Sequence, residues 1–146
     1  MTALNEEMLN SWLDLSVTIV NEKLVSHIPY NEALICNILN RHAQKSPSRP
    51  LTATALCALT RMQKSLMNRT LTSMEKRGLI CRERSKEDKR KIFVRLNPVK
   101  DNPYFRQHKK TLVLVDRIID KMGVEKAIDV MDALRLVTSV ASGALK

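Results

Sequence analysis

The chain has 146 residues, with 25 Lys and Arg against 15 Asp and Glu for a formal net charge of +10; 44% of it is hydrophobic and 3% aromatic. That length suits one ordinary domain or a small module with appended helices, built on an aliphatic, Met-rich core, and three glycines argue against a fold rich in strands and turns. No apolar run approaches a membrane span and no signal-peptide pattern opens the chain, so the expected compartment is the cytoplasm, without a membrane partner.

The charge is concentrated. Residues 1–60 hold four bases and five acids, residues 61–110 sixteen bases and five acids, and residues 111–146 five of each. One segment carries the whole imbalance, which points to an anionic partner rather than to general solubility.

Residues 3–25 show helical periodicity: Leu4, Met8, Trp12, Leu15, Ile19 and Val20 recur at steps of three and four, and Leu9, Leu13 and Leu24 widen the stripe. His27-Ile28-Pro29 ends this helix, because a residue before proline is displaced from the α region. Asn31 is placed to cap a second helix whose buried face is Leu34, Ile35, Ile38 and Leu39. The stretch from Gln44 to Pro50, with two prolines and two serines, reads as an exposed loop. Thr52 then caps a short helix reaching about Leu59.

The next helix runs from about Lys64 to Arg77. Met67, Leu71 and Met74 form its apolar face, and Gly78 stands where a helix closes in a left-handed residue. The opposite face carries Lys64, Ser65, Asn68, Arg69, Thr72, Ser73 and Lys76, with Glu75 near the end. A merely solvated face is more often laced with Glu and Lys. Short hydrogen-bonding groups with cations among them are side chains that pair with base edges and phosphates.

Ile80 to Arg84 and Lys91 to Leu96 have strand character, the second with Ile92, Val94 and Leu96 on one side. Between them Ser85-Lys86-Glu87-Asp88-Lys89-Arg90 makes a hairpin tip too polar for a core: a solvated loop or a wing that reaches a groove. Asn97-Pro98 and Asn102-Pro103 are breaks, and two more helices follow, about Tyr104 to Met122 and Val124 to Ala144, parted by Gly123. Residues 111–146 are charge-neutral, and stripes such as Leu112-Val115-Ile118-Met122 and Ile128-Met131-Leu134 need a partner surface. The terminal helices are therefore expected to form a homodimer interface. The expected division is an N-terminal dimerisation helix over 1–29, a DNA-binding module over 30–98 and C-terminal dimerisation helices over 99–146.

Four stretches carry a family resemblance: Leu51-Thr52…Leu56-Cys57, Lys64-Ser65…Arg69, Met74-Glu75-Lys76-Arg77-Gly78-Leu79-Ile80, and Asp88-Lys89-Arg90…Val94-Arg95-Leu96. In their order, and with the helices on either side, they resemble the winged helix-turn-helix of the MarR family of bacterial transcription regulators. The resemblance implies a mainly α fold, an α+β winged helix-turn-helix with N- and C-terminal dimerisation helices. It also implies a homodimer that binds a pseudo-palindromic operator in double-stranded DNA, usually as a repressor. Thr60-Arg61-Met62 departs from the family's Leu-Gly-Leu-like turn, and this bears on how the recognition helix is presented.

In such a dimer the recognition helix enters the major groove and the wing reaches the adjacent backbone or minor groove. Ser65, Asn68 and Arg69 are the expected major-groove residues, with Thr72 and Ser73 on the same face and Arg69 placed to read a guanine. Gln63 and Lys64 at the helix start are expected on phosphate. Arg90, then Lys89, is the expected minor-groove contact. The family pattern implies that Asp88 supports the wing by holding a neighbouring arginine. Arg82, Arg84 and Lys86 add attraction without sequence preference. The resemblance further implies a small phenolic or anionic effector between the dimerisation helices and the winged module, for which Trp12, His27, Tyr30 and Arg49 are candidates.

Nothing in the sequence points to an enzyme, since there is no Gly-rich phosphate loop and no Ser/His/Asp spacing. His27, His42 and His108 are isolated, and Cys36, Cys57 and Cys81 lack metal-ligand spacing, so no metal or other cofactor is expected. The cysteines read as buried or half-buried reduced thiols. A winged helix that binds a protein instead of DNA is the alternative; positive charge on both recognition helix and wing favours DNA.

Overall fold

The computed structural model describes residues 2–22 and 28–144, with the backbone alone for residues 2 and 144. In chain order the elements are α1 (Thr2–Asn21), α2 (Tyr30–Lys45), β1 (Leu51–Thr52), α3 (Ala53–Thr60), α4 (Lys64–Lys76), β2 (Ile80–Arg84), β3 (Ile92–Leu96), α5 (Pro103–Met122) and α6 (Val124–Ala144). The chain divides into two compact units, Met1–Lys109 and Lys110–Lys146, and the division falls within α5.

The core of the first unit is aliphatic, as the composition requires. Ile35, Cys36 and Leu39 from α2 meet Leu56 of α3, Met67, Leu71 and Met74 of α4, and Leu79, Ile80, Val94 and Tyr104. Met67, Leu71 and Met74 are all fully buried, so the spacing of four and three resolves into one inward face of α4. Thr52 caps α3 by accepting a hydrogen bond from the Ala55 backbone N at 3.1 Å. Gly78 closes the turn after α4 with φ +76°, and Leu79 N donates back to Met74 O at 3.0 Å.

α2 departs from expectation at its start. Pro29 occupies the N-cap position, and its carbonyl accepts from Ala33 N at 3.0 Å. Proline presets φ and has no N–H to lose there, so the helix begins ahead of Asn31, which lies exposed in the first turn. The buried face is accordingly Glu32, Ala33, Ile35, Cys36 and Leu39, with Leu34 and Ile38 only half-buried. The helix also persists to Lys45, so the loop is shorter than the composition suggests.

The sheet is antiparallel in the order β1-β3-β2, with Leu51 opposite Val94 and Ile80 opposite Leu96. β1 is two residues long and has no periodicity to announce it; it exists because β3 offers it a free edge. Asn102 ties the far end of the sheet to α5. It is buried, its Nδ2 donates to Leu79 O at 3.0 Å and Asn97 O at 2.8 Å, and its Oδ1 accepts from Tyr104 N at 3.0 Å.

The helical stripes outside this core remain uncovered in the single chain. On α1, Leu4, Met8, Leu9, Trp12, Leu13, Leu15, Val17 and Val20 are exposed. In the second unit, Leu112, Ile118, Ile128, Met131 and Leu134 are exposed as well. Among the described residues, no helix is long and apolar enough to cross a membrane.

Candidate nucleic-acid interface

The interface begins at the turn between α3 and α4. Arg61 takes the left-handed conformation, φ 59° and ψ 19°, in the place where glycine would carry no Cβ penalty. The Thr60 hydroxyl donates to Leu56 O at 2.7 Å and accepts from Met62 N at 3.3 Å, which holds the strained turn. Gln63 sits at the N-cap of α4 in extended conformation without a side-chain cap bond, so the first N–H groups of α4 keep no side-chain acceptor from it.

With the apolar face of α4 buried, Gln63, Lys64, Ser65, Asn68, Arg69, Thr72, Ser73 and Lys76 are all exposed on the helix. Asn68, Arg69, Thr72 and Ser73 line one surface depression together with Lys76 and Arg77. Gln63, Lys64 and Ser65 belong to the first turn and do not line it.

One of these side chains, Thr72, is engaged within the protein. The Thr72 hydroxyl donates to Asn68 O at 2.8 Å and accepts from Arg82 Nη2 at 3.2 Å. Arg82 also donates to both oxygens of Glu75, from Nη2 at 3.1 Å and from its backbone N at 3.0 Å. These bonds hold the Glu75 carboxyl below the ordinary glutamate range. Arg82 thus fastens β2 to the flank of α4, a different position from the diffuse attraction expected of it.

At the wing, Lys89 and Arg90 are exposed, the Arg90 side chain by 93%. Asp88 Oδ1 accepts from Arg90 N at 3.1 Å and from Arg90 Nε at 3.4 Å. Arg84 Nη1 donates to Lys89 O at 2.6 Å, and Asp88 N donates to Ser85 Oγ at 3.2 Å. Ser85 is buried, so the tip contributes one residue to the interior although its composition reads as wholly solvated.

A further ion pair has no local signal at all: Arg77, at the C-cap of α4, donates to Glu32 Oε1 from α2, 45 positions away. Only long-range contact reveals it.

Among the described effector candidates, Arg49 lines a cavity. That cavity, of about 390 Å³, is lined by residues that include Leu39, His42, Arg49, Leu51, Cys81, Val94, Arg95, Leu96 and Phe105. His42 Nε2 hydrogen-bonds with Arg49 O and holds the loop beside it. Trp12 and Tyr30 are exposed and do not line the cavity, and His27 lies outside the described residues.

The cysteines differ from one another. Cys36 is buried, and desolvation, then the nearby Glu32 carboxylate, push its thiol up to about 12 against the opposing pull of Arg77. Cys57 is half-buried. Cys81 is exposed, contrary to the expectation for all three, because strand alternation turns Ile80 into the core and Cys81 away from it. Among the described residues, no group of three or more His, Cys, Asp or Glu is arranged to hold a metal ion.

Comparison with known proteins places this geometry. Residues 28–91 match the family model of the MarR family. Among solved structures, Streptococcus pneumoniae FabT in complex with DNA is similar at 20% identity, with 100% of each chain covered and a TM-score of 0.70. The PcaV transcriptional regulator of Streptomyces coelicolor, in complex with its natural ligand, is 17% identical over 97% of this chain and 96% of its own, with a TM-score of 0.60. A variant of S. aureus MepR bound to an oligodeoxyribonucleotide is 12% identical over 96% and 98% of the two chains, with a TM-score of 0.57. These likenesses are of fold. No curated protein matches the chain.

Proposed function

We propose, on the match of residues 28–91 to the MarR family model, that the chain is a DNA-binding transcriptional regulator of that family which reads a pseudo-palindromic operator as a homodimer and represses until a small effector releases it. The observation that carries this reading is the exposed face of α4. It sets Asn68, Arg69 and Ser73 side by side in the segment that holds the net positive charge, with a fully buried face behind them. Arg69 reads a base edge, Gln63 and Lys64 meet phosphate at the start of α4, and Arg90 with Lys89 reaches the next groove from the wing. Asp88 orients Arg90.

The homodimer is supported by apolar side chains left uncovered on α1 and, in the second unit, on α5 and α6. A two-fold dimer calls for a two-fold operator. The effector is supported by the cavity beside Arg49: its floor is apolar, His42, Arg49 and Arg95 are its basic members, and no carboxylate lines it. A phenolic or anionic molecule suits that lining. Chains of similar fold support both parts: FabT and a MepR variant are in complex with DNA, and PcaV is in complex with its natural ligand.

The test is selection of bound fragments from the source genome. The expected result is a small set sharing an inverted repeat with half-sites about one helical turn, or a multiple of it, apart. Random recovery would refute operator reading. A thermal-shift screen of aromatic and aliphatic acids checks the effector, whose binding must be lost on Arg49→Ala.

A further inference from the structure

We propose that Arg77 is a DNA-phosphate contact and that the buried carboxylate of Glu32 is the positioning residue that holds it for this contact. The proposal rests on the DNA-binding reading above and adds a pair of residues that neither the helix face nor the wing contains.

The pair is asymmetric. The Glu32 side chain is 10% exposed and that of Arg77 is 46% exposed. Glu32 Oε1 accepts from Arg77 Nη2, while Glu32 Oε2 is buried without a hydrogen-bond partner. An arginine at a helix C-terminus is already favoured by the helix dipole and needs no buried acid beside it. A buried carboxylate with one oxygen unsatisfied is a poor stability device, since an apolar side chain of similar volume serves as well or better.

What the arrangement does supply is direction. The guanidinium has five N–H donors in a rigid fork. Anchored by Glu32 from inside, it lies along the same surface depression as Asn68, Arg69, Ser73 and Lys76. A cation held there in advance loses less side-chain freedom on meeting a phosphate than a free one. Arg77 thereby closes the C-terminal end of the α4 surface, as Lys64 opens its N-terminal end.

The experiment compares wild type with Glu32→Met, which removes the anchor without leaving a buried charge, and with the double variant Glu32→Met/Arg77→Gln. Glu32→Gln, which keeps an acceptor, serves as the milder variant if Met disturbs folding. Each is first shown to unfold cooperatively, then titrated with DNA over a range of salt concentrations. Glu32→Met is expected to weaken binding several-fold at fixed salt with the salt slope unchanged, because every cation remains. The double variant is expected to lower the slope of log K against log salt by about 0.9, the loss of one phosphate contact, equally for specific and random DNA. Equal slopes for the two variants overturn the contact; wild-type affinity in both Glu32 variants overturns the positioning. If wild type itself shows no salt-dependent DNA binding, the DNA-binding reading fails first, and the proposal with it.

Discussion

α4 and α6 are both amphipathic on paper, yet the folded chain treats them in opposite ways. α4 buries Met67, Leu71 and Met74 completely in the first unit, whereas α6 leaves Ile128, Met131 and Leu134 about half exposed. The charge divides along the same line: residues 61–110 carry the positive excess and residues 111–146 are neutral. A module that satisfies its own apolar face can present a polar one for recognition. A helix that cannot do so must find its cover in another surface.

The largest expected effect bears on the charge half of this contrast. With roughly six to ten phosphates contacted, the association constant falls by about 10³ to 10⁵ between 50 and 200 mM salt, measurable by fluorescence anisotropy. A flat response would break the assignment of the charged segment to DNA. Next comes the burial half. Leu71→Ala is expected to cost about 2–5 kcal/mol in denaturant unfolding, by loss of burial and the cavity left behind. Leu134→Ala should cost the dilute single chain less than about 0.5 kcal/mol but weaken self-association in sedimentation. Equal costs at the two positions would erase the distinction.

A smaller change sharpens the recognition surface. Arg69→Ala should reduce the preference for operator over random DNA by about 1–3 kcal/mol in competition assays; an unchanged preference removes Arg69 from base reading. The smallest effect concerns the Arg82–Glu75 link that braces α4. Because Glu75 titrates below its ordinary range, its stabilisation is present at neutral pH and is lost as pH falls through that lowered value. The pair is partly exposed, at 22% for Arg82 and 40% for Glu75, so the contribution is small. Acid titration of unfolding should show a shallower acid-side slope in Glu75→Gln than in wild type.

Much of the fold was legible because its signals are local. The spacing of Met67, Leu71 and Met74, the Thr52 cap and Gly78 after α4 each act within one or two turns of chain. Legibility failed where local rules compete or where partners are distant. Asn31 is a good cap by type, but Pro29 fits the position better by conformation. β1 needed the edge of β3 to exist. Thr72 belongs to the polar face by periodicity, yet its hydroxyl is occupied by Arg82, a residue on the neighbouring strand. Cys81 and Ser85 exchange the environments that their residue types suggest, since strand phase and turn geometry decide which side each faces.

By itself, then, the sequence determined where the helices lie, which face of α4 is polar and which segment bears the charge, because periodicity and composition are properties of neighbours along the chain. Only the tertiary structure decided which of those polar groups are already engaged. Glu32 with Arg77 and Asn102 with Leu79 meet across 45 and 23 positions, and such pairings depend on how helices and sheet pack around a shared core, a geometry that no local pattern encodes.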